Sequence, residues 1–182
     1  MKLLSHKQII LSSMKSAYLY PHKIKLLFVD FDGTMTDNKV LISECGIEHV
    51  VCNRSDGWGI RLLKEQNVEV ICISSEKNPV VRKRCEKLEV QCMDGVNTKG
   101  EQIINTCNDK NIPLINVAFI GNDLNDISAL KVVGLPIVVN DANSLTKDFA
   151  KLVLNKKGGE GVILELVEIL FPFHKSPDVY HK

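Results

Sequence analysis

The chain has 182 residues, enough for one domain with a substantial core and too few for two large ones. Hydrophobic residues make up 45%, charged residues 25%, and the formal net charge is +1. That balance, with no Lys/Arg block, argues against a nucleic-acid partner or a membrane-surface footprint. The 6 cysteines contain no Cys-x-x-Cys pair, so free thiols in a cytoplasmic protein fit better than a disulfide framework or a zinc site.

Residues 1–23 are mildly amphipathic, but polar residues interrupt the apolar ones early. They read as an N-terminal extension, an added helix or a linker rather than a signal peptide. The ordered domain is expected over 24–171, with a mobile tail over 172–182. "IKLLFV" is a buried strand that runs directly into "DFDGTMTD". Asp30 and Asp32 thus stand where the chain leaves the core, and two such carboxylates repel unless a cation or a shared proton relieves them. "KVLISECGIEHVVCN" (39–53) reads as a hairpin turning at Gly46, and a helix follows with Ser55 or Asp56 as its cap. "VEVICIS" (68–74) is a second strand, and Asn78-Pro79 opens a helix.

The alternation continues. A helix begins near Lys99, "NVAFIG" is a strand, "NDLNDISALKVV" a helix and "GLPIVV" a strand. A short helix, the strand "KLVLN" and the closing helix "EGVILELVEIL" follow. Such alternation predicts an α/β fold, a Rossmann-like central parallel sheet flanked by helices, with a hairpin flap and no large cap domain. Ligands bind such sheets at the carboxyl ends of the strands. The residues expected there are Asp30, Asp32, Ser74, Asn122 and Asp123, with Asp126 and Lys99 within reach. Acids, an amide, a hydroxyl and an ammonium on one sheet edge suit phosphoryl transfer. A carboxylate attacks phosphorus, Mg²⁺ offsets anion–anion repulsion, and Ser74, Lys99 and the amides near Gly33 and Thr34 stabilise the phosphoryl oxygens. Taken singly, Ser74 is an ordinary strand-end hydroxyl and Lys99 a solvated helix residue; only the set carries the reading.

"DFDGTMTD", Ser74, Lys99 and "GNDLND" resemble the four motifs of the haloacid dehalogenase (HAD) superfamily, and the absence of a cap insertion resembles its capless branch. "NRSDGWGIRLLKE", "DGVNTKGEQI" and "KKGGEGVILELVE" are similar to the sugar-acid phosphatases acting on 3-deoxy-octulosonate 8-phosphate or on nonulosonate 9-phosphates. Related domains are fused to CMP-sialate synthetases. The resemblance implies Asp30 as nucleophile, Asp32 as general acid and then base, and Mg²⁺ on Asp30, Asp32 and Asn122. Asp123 and Asp126 would support them from behind. Asn122 departs from the usual Asp. Glu76 and Arg84 resemble the nonulosonate enzymes, and so point to an N-acylneuraminate-type 9-phosphate, although both can equally be surface charges on one helix. The resemblance also implies a homotetramer and a place in sialic acid, lipopolysaccharide or capsule biosynthesis. In these relatives the C-terminal segment can reach a neighbour's site, although "GGEG" (158–161) also reads as a plain turn and helix start. Trp58 is expected to pack.

Two rival classes stand beside a Mg²⁺-dependent phosphatase. A non-catalytic assembly domain associated with a CMP-sialate synthetase is kept alive by Asn122 and opposed by intact Asp30, Asp32, Ser74 and Lys99. A phospho-accepting receiver domain shares strand-end Asp, Ser and Lys, but Asp32 favours turnover over a lasting phosphorylated state.

Overall fold

The computed structural model describes residues 23–171; the expected N-terminal extension, apart from its last residue, and the expected C-terminal tail lie outside them. Six strands form one parallel sheet: β1 (Leu26–Val29), β4 (Glu69–Ile73), β5 (Gln91–Met93), β6 (Val117–Gly121), β7 (Leu135–Val138) and β8 (Leu152–Val153). Their spatial order is β5-β4-β1-β6-β7-β8. The chain builds outward from β1 on one side, then returns to build outward on the other. The switch point of the sheet therefore lies between β1 and β6. β1, β6 and β7 are buried along their whole length, which is why they read as unbroken apolar runs instead of alternating ones.

The main helices are α1 (Ser55–Glu65), α2 (Pro79–Leu88), α3 (Lys99–Asp109) and α6 (Val162–Leu170), with short turns α4 (Ile127–Leu130) and α5 (Ser144–Lys147). α1 packs on α6 and α3 on α4, burying Ile60, Leu63, Ile103, Ala129, Ile163 and Leu166. Between β1 and α1 stand a helical turn at Phe31–Met35 and the antiparallel hairpin β2 (Leu41–Ile42) and β3 (Glu48–His49), fastened at its base by a Thr36–Cys52 β-bridge. No large cap is inserted there.

Four local expectations change. Neither Ser55 nor Asp56 caps α1; Asn53 Oδ1 accepts the Ser55 N–H at 2.9 Å, while Asp56 accepts the Ile163 N–H of α6 at 3.1 Å. β5 was not foreseen, being three residues long with a polar, exposed start. The helix expected over 122–133 shrinks to a 3₁₀ turn (Leu124–Asp126) and α4, because Asp123 and Asp126 tie the turn to their own backbone. Trp58 does not pack into the core: it is 57% exposed, with the Arg61 guanidinium 5.5 Å from its ring centre. As expected, Asn78 caps α2 by accepting the Val80 N–H at 3.1 Å, with Pro79 in the first turn, and all six cysteines are free.

Candidate active site

Strand register gathers the predicted residues. Val29 pairs with Cys72 on one side and Ile120 on the other, so the residues that follow these three strands, Asp30, Ser74 and Asn122, emerge at nearly one level. Lys99 enters from the first turn of α3. Its Nζ lies 2.5 Å from Asp30 Oδ1 and 2.6 Å from Asp126 Oδ1, and its side chain is fully buried. A buried ammonium demands such partners. Burial alone would lower its pKa, but the Asp30 and Asp126 carboxylates outweigh that and hold it above the ordinary value. Asp30 has the reverse balance. Burial, with the Asp126 charge added, pushes its carboxyl up to about 7, against the pull of Lys99. Asp126 also accepts the N–H groups of Asn122 (2.8 Å) and Asp123 (3.2 Å) through Oδ2. It thereby fixes both Lys99 and the start of the Asn122 loop. Asp123 faces its own turn and accepts the Leu124 N–H at 2.7 Å.

The loop after Asp30 turns at Gly33, whose φ is +78°. A Cβ here would lie 2.0 Å from the Asn122 amide nitrogen, so only glycine fits. Of the amides expected to serve as donors, that of Gly33 is already used, on Thr36 Oγ1 at 3.1 Å. Thr34 Oγ1 is buried without a partner. Asp32 is half-buried; burial, then the Glu76 charge, raises its carboxyl pKa, Lys99 opposes, and Glu48 adds to the rise.

The Asn122 amide comes within 3.0 Å of Asp30 Oδ2 and 3.1 Å of the Asp32 main-chain oxygen. With nitrogen turned inward, both contacts are hydrogen bonds. With oxygen turned inward, three oxygens converge with no proton between them. Adjacent oxygens on an octahedron of about 2.1 Å radius lie about 3.0 Å apart, the arrangement Mg²⁺ demands. The Asn122 nitrogen faces Gly33 and its oxygen faces inward, so the donor set fits a small hard cation as it stands, and a half-turn of that one amide gives the hydrogen-bonded arrangement instead. The set draws on an amide and a main-chain carbonyl; among the described residues, no group of three or more His, Cys, Asp or Glu side chains gathers as a metal site.

Ser74 is buried at the end of β4, its Oγ accepting the Glu76 N–H at 3.1 Å. Glu76 lines an open cavity of about 530 Å³ between the hairpin tip and the start of α2, together with Glu48, Lys77 and Asn78. Asn78 Nδ2 donates to Glu48 Oε2 at 2.5 Å and so ties the hairpin to α2. Arg84 is not brought to this cavity. Its guanidinium donates to the Asn53 carbonyl at 2.8 Å, beside Cys52 and Asp56. Glu48 and Thr36 were missed from the sequence. Glu48 carries no signal there, being one acid on a short exposed hairpin; Thr36 sits inside the "DGTMTD" run and could have been read as its turn-closing hydroxyl.

The site thus offers a carboxylate paired with a buried ammonium, a second, half-buried carboxylate with a raised pKa, an oxygen set for a hard cation, and an open cavity whose wall carries the Glu48 and Glu76 charges that act on Asp32. Residues 85–166 match the family model described as haloacid dehalogenase-like hydrolase. Over 148 residues the chain is 33% identical to the 3-deoxy-D-manno-octulosonate 8-phosphate phosphatase KdsC of Salmonella typhi, covering 81% of this chain and 79% of that one. It is also 33% identical over 160 residues to the N-acylneuraminate cytidylyltransferase of Oncorhynchus mykiss; this is 86% of the present chain but only 37% of that longer protein. The crystal structure of 3-deoxy-D-manno-octulosonate 8-phosphate phosphatase from Moraxella catarrhalis, in complex with magnesium ion, phosphate ion and KDO, matches with a TM-score of 0.81 at 25% identity, over 86% of this chain and 91% of that one. Sheet order, capless topology and these likenesses agree, and the chain belongs to the HAD-type phosphomonoesterases of the KdsC kind.

Proposed function

We propose that the chain hydrolyses a sugar-acid phosphate through a phosphorylated Asp30. The observation that carries this reading is the buried Lys99 bridging Asp126 and Asp30, with a half-buried Asp32 two residues after Asp30. Asp30 Oδ1 attacks phosphorus, and the bond to the sugar oxygen breaks as Asp32 gives that oxygen its proton. Asp32 then takes a proton from water, which attacks phosphorus and frees phosphate and Asp30. Ser74 and Thr34 hydroxyls donate to phosphoryl oxygens, and Lys99 balances the charge on the nucleophile. Asp30, the Asp32 main-chain carbonyl and Asn122 would hold a Mg²⁺ ion, which would supply neutralisation of the phosphoryl charge.

The substrate favoured by the KdsC relatives is 3-deoxy-octulosonate 8-phosphate. A nonulosonate 9-phosphate is the second reading, supported by Glu76 on the cavity wall and by the likeness to an N-acylneuraminate enzyme. Arg84, engaged on Asn53, gives it no support within one chain. Phosphate release should be measured for both compounds, with and without Mg²⁺. Faster, Mg²⁺-dependent release from the eight-carbon ester supports the first reading; preference for the nine-carbon ester reverses the order. Release from neither, with activity on unrelated phosphate esters, removes the sugar-acid assignment.

A further inference from the structure

The turn "KKGGEG" stands behind the acid/base loop. A Cβ on Gly158 would lie 2.1 Å from the Gly33 carbonyl oxygen and 2.8 Å from that of Thr36. The Gly158 backbone therefore rests directly against the Gly33–Thr34 peptide, one residue beyond Asp32. Gly159 donates its N–H to the Thr34 carbonyl at 3.0 Å and has φ +76°. Gly33 is consequently held between Asn122, which leaves no room for a Cβ on Gly33, and the turn, where the Gly33 carbonyl leaves no room for a Cβ on Gly158.

The turn is itself held fast. The buried Glu165 carboxylate accepts the Asn155 N–H and side-chain amide, both at 2.8 Å, and the Lys156 N–H at 2.9 Å. Asp141, in the loop after β7, accepts the Gly158 N–H at 2.9 Å. Asn53, at the foot of the hairpin, donates to the Gly159 carbonyl at 3.2 Å. Charge-assisted bonds of this number leave the turn little freedom. A proton donor must sit within hydrogen-bond reach of the leaving oxygen, and a small misplacement costs much of its effect.

We propose that the Gly158–Gly159 turn is a brace that positions Asp32 for proton transfer, with Gly158 and Asp141 as positioning residues. This inference rests on the acid/base reading of Asp32. Its test uses the difference between leaving groups. An alkoxide from a sugar phosphate needs a proton; p-nitrophenolate does not. Leaving-group release in the first turnover, with enzyme in excess, reports attack by Asp30 before hydrolysis of the intermediate begins.

Gly158→Ala introduces a clash and can unfold the loop. Asp141→Ala adds no atoms and removes one tie of the brace, so it decides the matter where Gly158→Ala is not folded. The expected result for Asp141→Ala is a loss of about 10-fold on 3-deoxy-octulosonate 8-phosphate and of less than about 3-fold on p-nitrophenyl phosphate, with a larger loss of the same selectivity in Asp32→Ala. Equal losses on both esters in folded Asp141→Ala, or no loss on either, would overturn the brace while Asp32→Ala stayed selective. An unselective Asp32→Ala would overturn the acid/base reading and the brace with it.

Discussion

Asp30 and Asp32 stand two positions apart in different surroundings, and each mutation separates one role. Asp30→Asn keeps the shape of the side chain and loses the nucleophilic oxygen pair. Turnover should vanish while the unfolding midpoint stays close to the parent's; normal turnover in a folded variant would remove the covalent step. Asp32→Asn retains the loop but not the proton, so a fall in kcat of about 10²- to 10⁴-fold is expected. Asn122 places a neutral oxygen where a charged one would hold a cation more strongly. Asn122→Asp should lower the Mg²⁺ concentration giving half-maximal rate, by on the order of tenfold at a partly solvated site. An unchanged Mg²⁺ dependence would place the third ligand elsewhere.

At the level of elements, α1 and α6 are joined through Asp56, which is fully buried. Burial pushes its carboxyl up to about 6 from an ordinary 3.8, against the Ile163 N–H and the Arg84 and Lys156 charges. A raised carboxyl pKa means the folded state binds the extra proton between those two values. The charge of Asp56 therefore costs nothing below about pH 4, costs progressively more as pH rises, and reaches its full cost, on the order of 2–3 kcal/mol, above about pH 6. Asp56→Asn keeps an acceptor for Ile163. Denaturant unfolding over this range should find the variant gaining on the parent as pH rises and level with it near pH 4; a pH-independent difference would contradict the assignment. The sequence made the strand-end residues legible, since apolar runs mark parallel strands and parallel strands bring their ends together. Lys99 was legible as the head of a helix aimed at the same edge. What escaped was contact between segments far apart in the chain. Asp56 looked like a helix cap and bonds α6, Arg84 looked like a substrate contact and bonds Asn53, and Gly158 looked like a loose turn and packs on Gly33. β5 escaped because three residues carry no periodicity.

For the molecule as a whole, the hairpin is the part least accounted for by one chain. Leu41 is 71% exposed, Ile42 60% and Val51 75%, an apolar patch more extensive than a lone flap should present to water. We propose that a neighbouring subunit covers it in a homo-oligomer, a tetramer by the family resemblance. Sedimentation should find an assembly that the double variant Leu41→Lys, Val51→Lys dissociates, with loss of activity; a fully active monomer of the parent would contradict this. The central claim, though, lies inside one chain: phosphate passes through Asp30. An enzyme-excess reaction with a sugar-acid phosphate, quenched in acid within the first turnover and digested, should yield the peptide containing Asp30 carrying one phosphoryl group, absent in Asp30→Asn. Stoichiometric phosphate release with that peptide never phosphorylated, together with an active Asp30→Asn, would contradict the account.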